Sequence, residues 1–346
     1  MSSASIGLAG EVRLPGTADP SRRISHSAPP RPRPIAYSTF SIDGIKQVLR
    51  AYDIDEPVEG TIFHRSMSDT YWLSTPQQQF ALKIYMNNWR SREAIAAELA
   101  AIRHAHAKGV GVALPVPRRD GGFITNVRAP EGQRSAVLFV WANGRPPKYS
   151  NSNHAYYFGQ LLAKLHLAME DFQCYTARPH MDLDYMFRDP VSRIAARLGD
   201  LPEIARRFDR LANRIDEQLQ REATAIPDWG FCHGDVHIHN ARIDGSRLVL
   251  FDFDMFGQGW RISDLATYRW QARCSGAEAT AWQAFLEGYR EIRPTIEESL
   301  RFTQLFMLMK HLWDKARYIA FAEQFDAVRI TEEFLEDAVA FCEQLE

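Results

Sequence analysis

The run Phe231-Cys232-His233-Gly234-Asp235-Val236-His237-Ile238-His239-Asn240 is followed by Leu248-Val249-Leu250-Phe251-Asp252-Phe253-Asp254. It constrains the chain more than any other stretch. It sets three chemical groups at fixed spacing: Asp235, then Asn240 five positions on, then Asp252 after a short hairpin. A kinase-type phosphoryl transfer needs this set of parts: a carboxylate to orient and deprotonate an acceptor hydroxyl, then an amide oxygen and a strand-end carboxylate to hold magnesium on the phosphates. His-Gly-Asp stands where His-Arg-Asp would be, and Phe-Asp-Phe where Asp-Phe-Gly would be.

With 346 residues and 45% apolar content, the chain can bury a sizeable core and make two lobes. A net charge of −2 argues against a dedicated nucleic-acid binder. No apolar run approaches the roughly eighteen residues of a membrane helix. Cys174, Cys232, Cys274 and Cys342 lack C-x-x-C spacing, which points to a reducing, cytoplasmic compartment and no structural zinc. Residues 1–38 are rich in Ser, Pro and Arg and lack the apolar core of a secretory signal. They read as a disordered tail, although their acid-poor composition is also loosely that of an organelle transit peptide.

From Phe40 to about Ala142 the pattern predicts strands at Thr61–Phe63, Thr70–Leu73 and Gln79–Tyr85, one helix beginning at Ser91 and ended by Gly109, and a buried strand over Ala136–Trp141. The Gly/Pro break Asn143-Gly144-Arg145-Pro146-Pro147 marks a lobe boundary. Beyond it helical periodicity dominates, with Tyr157, Leu161, Leu165 and Met169 on one stripe. The expected organisation is a tail over 1–38, an N-lobe over 39–142 and a C-lobe over 143–346.

The His-Gly-Asp-x-x-x-x-Asn loop, with Asp252 preceding Asp264-Leu265-Ala266 by twelve positions, resembles the aminoglycoside phosphotransferase and choline kinase-like family. The likeness covers roughly Phe40 to the C-terminus. It implies an α+β, protein kinase-like two-lobed fold with a small antiparallel-sheet N-lobe and a larger, mainly helical C-lobe. It also implies ATP (or GTP) and Mg2+ as cofactors, with nucleotide in the cleft under the linker strand at 136–142.

Lys83 lies in an otherwise apolar strand, where a buried ammonium needs partners. Kinases place such a lysine on the α/β-phosphates and pair it with a glutamate of the next helix. At about 100° per residue, Glu98 falls on the margin of the stripe Ile95, Leu99 and Ile102, whereas Glu93 points away. Glu98 is therefore the expected partner. The phosphate-covering loop is expected at His64–Asp69, with Ser66 and Ser68 lining phosphates in place of a Gly-rich turn. Phe139 and Trp141 are the nucleotide contacts expected from the linker strand.

Asp235 is the expected base, and Asn240 and Asp252 the metal ligands. Strand alternation puts Asp254 on the face of Asp252, leaving it either a second ligand or an exposed neighbour. His233 should brace the loop through backbone hydrogen bonds, and His237 and His239 should have packing or surface roles. Asp264 should cap a helix and tie down the loop. A metallohydrolase reading of the His/Asp cluster lacks the Asp-x-His and Gly-Asn-His motifs such enzymes need.

The acceptor is read as a small-molecule hydroxyl, with neither nucleic acid nor membrane as partner and the oligomeric state left open. Its pocket is expected from 178–185 or from the apolar helix at 300–320. Arg178-Pro179, Leu183 and Tyr185 look similar to the bacterial stress-response kinase, a Ser/Thr protein kinase, which makes a protein acceptor the alternative. Leu286-Glu287-Gly288-Tyr289-Arg290 resembles the homoserine kinase branch as well.

Overall fold

Lys83 belongs to the middle of a sheet, and the rest of the N-lobe is arranged around that fact. In the structure, a computed structural model, residues 35–57, 59–174, 178–294, 297–322 and 330–345 are described. Five antiparallel strands lie in the order β1-β2-β3-β5-β4: β1 (Glu59–Arg65), β2 (Ser68–Ser74), β3 (Gln79–Tyr85), β4 (Thr125–Ala129) and β5 (Gly132–Val140). Lys83 pairs in register with Thr70 on one side and Val137 on the other. It is thus not an edge-strand lysine turned to solvent.

Two helices flank the sheet. Helix α1 (Ile42–Leu49) buries Ile45, Val48 and Leu49, with Ser41 Oγ capping its first turn. Its eight residues make little more than two turns, and its apolar spacing at Ile45, Val48 and Leu49 is that of one helix face. Helix α2 (Arg92–Ala107) starts at Ser91, whose Oγ accepts from Ala94 N at 3.1 Å, and ends before Gly109 at φ +83°. Ile95, Leu99 and Ile102 face the core together with Glu98.

The expected tail over 1–38 lies outside the described residues as far as Pro34. Its last members contact the lobe: the Tyr37 hydroxyl bonds to the Asp69 carboxylate, and Ser38 Oγ donates to Glu131 Oε2 at 2.7 Å. Arg134 completes this corner, donating to Ser38 O at 2.9 Å and to Asp69 Oδ2 at 3.1 Å.

After the linker the chain turns helical: α3 (Ser152–Ala168), α4 (Asp189–Ala195) and α5 (Pro202–Glu222). Two small hairpin-like ladders follow, β6 (Trp229–Cys232) with β9 (Gly257–Trp260), and β7 (Ala241–Asp244) with β8 (Arg247–Leu250). Helices α6 (Ile262–Cys274), α7 (Glu278–Ile292), α8 (Thr303–Ala320) and α9 (Glu332–Leu345) complete the lobe.

Helices α3 and α7 cross at glycines. A Cβ on Gly159 would sit 2.0 Å from Phe285 O, and one on Gly288 2.0 Å from Tyr156 O. Only two bare backbones allow this approach, and it sets His166 of α3 against Tyr289 of α7. Among the described residues no helix is long and apolar enough to cross a membrane.

Candidate active site

Strand β6 delivers His233, Gly234 and Asp235 into a loop that returns through a short helical turn to β7. Gly234 has φ +83°, and a Cβ there would meet Met255 O at 2.5 Å, so this turn requires glycine. His233 is fully buried; Nδ1 accepts from Asp235 N at 3.2 Å and Nε2 donates to Phe251 O at 3.1 Å. Its expected backbone-bracing role fits these bonds. Burial lowers its pKa, which suits the neutral form these partners require.

Asp264 is the anchor. Oδ2 accepts from His233 N at 2.7 Å and His166 Nε2 at 3.0 Å, and Oδ1 from Gly234 N at 2.8 Å. Burial would raise its pKa, but His166 and the loop amides hold it below the usual carboxylate range. The expected tie-down is present, whereas the expected N-cap is not: Arg261 occupies the cap position without a side-chain bond, and Asp264 lies inside the first turn.

Asn240 ends the helical turn Ile238–Asn240. Its Nδ2 donates to Asp235 O at 3.0 Å and lies 3.3 Å from Asp235 Oδ2, so its nitrogen is committed and its carbonyl oxygen is the end left over. Phe251 N donates to Asn240 O at 2.9 Å, which draws the end of β8 beside the loop. Asp252 then takes a left-handed conformation at φ +64°. This breaks the strand, and Phe253–Met255 form a 3-10 turn. Alternation therefore does not decide where Asp254 points. It is buried, accepts from Trp89 Nε1 at 2.8 Å, and among the described residues its Oδ1 has no hydrogen-bond partner.

Three carboxylates converge on Lys83. Asp252 Oδ1 lies at 2.7 Å, Asp254 Oδ2 at 3.7 Å and Glu98 Oε1 at 3.8 Å. Burial would lower the Lys83 pKa, but Asp252, Asp254 and Glu98 hold the ammonium well above its ordinary value. Glu98, not Glu93, faces Lys83, but Asp252 is the closest partner, a consequence of several acids sharing one ammonium. Glu98 Oε1 accepts from the Tyr85 hydroxyl at 3.0 Å, Oε2 has no hydrogen-bond partner among the described residues, and burial raises the Glu98 pKa.

These groups line one cavity of about 840 Å³ between the lobes. The hairpin turn from β1 to β2, with Ser66 and Ser68, covers it, and Phe139 and Trp141 line it from the linker strand. Asp69, expected among the phosphate-loop residues, is fully buried against Arg134 instead. Arg242, buried under Phe63, Trp141 and Phe251, is a lining residue that the sequence reading missed.

The other end of the cavity is walled by α8. Lys310, Asp314 and Arg317 recur at spacings of four and three, one helix face. Asp314 and Arg317 line the cavity and pair at 2.7 Å, while Lys310 reaches Asp235 Oδ1 at 3.1 Å. Burial would raise the Asp235 pKa, but Lys310, His237 and Arg317 hold it well below the usual carboxylate range. His237, expected to have a packing or surface role, lies 3.3 Å from Asp235 Oδ2 and lines the cavity. The 3-10 turn folds residue 237 back onto 235. Residues 178–185 do not line the cavity. Arg178 is buried behind it, donating to Phe253 O, Asp254 O and Phe256 O at 3.0, 3.0 and 2.7 Å.

A five-stranded lobe, a helical lobe and a cleft holding lysine, aspartates and an asparagine define a phosphotransferase with a protein kinase-like fold. The model of the phosphotransferase enzyme family matches residues 61–302, and the chain belongs to that family. It is a kinase. An uncharacterized protein of Deinococcus radiodurans is 32% identical over 304 residues, which cover 86% of this chain and 88% of that one. The homoserine kinase of Neisseria meningitidis is 26% identical over 268 residues, covering 76% and 83%. The solved structure of an amicoumacin kinase in complex with AMP-PNP, Ca2+ and Ami has the same fold. Its TM-score is 0.69 at 17% identity, covering 87% of this chain and 91% of that one.

Proposed function

We propose that the protein transfers the γ-phosphate of ATP to a hydroxyl of a small molecule, with Mg2+ as the metal. The observation that carries this reading is the meeting of Lys83, Asp252, Asn240 and Asp235 along one cleft. Lys83, Ser66 and Ser68 would hold the phosphates, Glu98 would steady Lys83, and Phe139 and Trp141 would contact the base of ATP, with GTP as the second candidate nucleotide.

The donor set suits a hard cation. Asn240 keeps a carbonyl oxygen, the Asp252 side chain is 38% exposed, and both are oxygen ligands. Among the described residues no group of three His, Cys, Asp or Glu could hold a metal by itself. That fits an ion bound by one or two side chains plus phosphates, and gives no support to the metallohydrolase reading. When bound, Mg2+ neutralises charge on the phosphates. Asp235, held ionised, would align the acceptor hydroxyl and take its proton late in a loose transition state.

A small-molecule acceptor is favoured by a relative bearing the name homoserine kinase and by an enclosing wall at α8. The stretch resembling the stress-response kinase is partly buried behind the cleft, at Arg178. Asp314 is balanced there by Arg317, a poor match for a polycationic aminoglycoside. No nucleic-acid or membrane partner is part of this reading, and a cytoplasmic location is. The test is an ADP-release screen over amino alcohols, hydroxy acids, sugars, nucleosides and aminoglycosides, with a generic protein substrate alongside. Release driven by one small alcohol is expected; a signal from protein alone would overturn the acceptor assignment.

A further inference from the structure

The loop His233–Asn240 contains no lysine or arginine. The ammonium nearest the proposed base comes from far along the chain, on α8. Lys310 is 2% exposed, and its Nζ lies 3.1 Å from Asp235 Oδ1, 3.3 Å from Gly234 O, and 4.5 Å from the centre of the Trp313 ring. Two oxygens and one ring face therefore surround an ammonium with three N–H donors.

We propose that Lys310 is a positioning residue for phosphoryl transfer: it fixes the Asp235 carboxylate and the Gly234 carbonyl, so that the base meets the acceptor hydroxyl in one orientation. This rests on the reading of Asp235 as the base. Stability alone does not explain the lysine. A buried ion pair often stabilises no more than an apolar residue of similar volume, and Lys310, unlike Asp314 and Arg317 further along the same face, is itself buried in the core. Its neighbours Leu308, Met309 and Leu312 are all buried, so a methionine at 310 would suit the packing. Among the described residues the Asp235 carboxylate is otherwise bonded only at Oδ2, by His237 Nε2 and Asn240 Nδ2, both at 3.3 Å. Losing Lys310 frees Oδ1.

The test uses the full chain with ATP and MgCl2, reading phosphate release to water. Lys310→Met is expected to lower kcat about a hundredfold, the scale of a misplaced catalytic group, with the KM for ATP unchanged. Lys310→Arg, which keeps a cation, should recover part of that loss. In an Asp235→Asn background, Lys310→Met should cost nothing further, because its effect runs through Asp235. Wild-type kcat in Lys310→Met would overturn the proposal, as would additive losses in the double variant. If Lys310→Met does not fold, Lys310→Arg decides: it must keep measurable turnover above Asp235→Asn, and turnover no higher than that variant refutes the positioning role. If Asp235→Asn itself turns over like wild type, the underlying assignment of the base fails; an inert Asp235→Asn beside a fully active Lys310→Met fails this inference alone.

Discussion

The catalytic loop and the wall that faces it are built in opposite ways. The loop is short, polar and fixed by a fully buried carboxylate: Asp264 holds two of its amides and leans on His166, which leans on Tyr289. The wall is a mostly buried apolar helix, α8, that turns three charged side chains toward the cleft. The loop must present its groups in one geometry to a phosphate that all kinases share. In the proposed reading the wall would meet the acceptor, which differs between kinases, and it would need only a face that can change while the rest of the helix stays core.

Breaking the loop's anchor should have the largest effect on stability. Asp264→Asn replaces the acceptor oxygens of three N–H groups with one amide, and the fold should lose about 3–5 kcal/mol, with turnover falling as well. Urea unfolding measures it. A variant as stable as wild type would mean the loop is held some other way.

The buried side of α8 supplies a second test, through pH. His311 Nδ1 accepts from Trp270 Nε1 at 3.3 Å, Nε2 donates to Asp337 O at 3.1 Å, and the ring stacks on Phe341. Burial first, then the Lys315 charge, pulls His311 down to about 4, against the weaker upward pull of Asp337 and Asp314. The unfolded chain takes up this proton near pH 6.5 and the folded chain does not, so the stabilisation is present above that pH. It is lost as the pH falls from about 6.5 to about 4, a change of about 3 kcal/mol from this group. Chemical denaturation at pH 7 and pH 5, with His311→Gln as control, checks it: the variant should lose less on acidification.

Gly159→Ala should cost about 1–3 kcal/mol, because the new methyl meets the Phe285 carbonyl and forces α3 from α7. Turnover should also fall if His166 shifts from Asp264, which would tie the crossing to the loop. On the wall, Arg317→Gln should leave the nucleotide KM nearly unchanged and move the acceptor KM by about tenfold, roughly 1.4 kcal/mol. A nucleotide effect instead would put Arg317 on the phosphate side.

Legibility in the sequence follows the same division. The loop could be read because its chemistry is compressed into eight residues, and because Asp264 lies at a set distance from Asp252. Lys83 and Glu98 could be read because strand and helix periods fix which side chains face inward. Helix α1 and strand β4 were not assigned, although the Ile45, Val48, Leu49 stripe of the first and the Val127/Ala129 alternation of the second carry their periods. Lys310 was visible only as a charge in an apolar helix, a pattern that a solvated face also produces; its partner Asp235 lies 75 residues earlier. The positions of His237 and Asp254 could not be read, because a tight turn and a left-handed Asp252 redirect the chain locally.

The central claim is that Asp235 acts on the acceptor and does not hold the nucleotide. Purified wild type and Asp235→Asn, each titrated calorimetrically with ATP and Mg2+ and then assayed for ADP formation, test it most directly. The account predicts turnover lower by about 10²–10⁴-fold with nucleotide affinity unchanged. Turnover equal to wild type, or a loss explained entirely by weaker ATP binding, would contradict it.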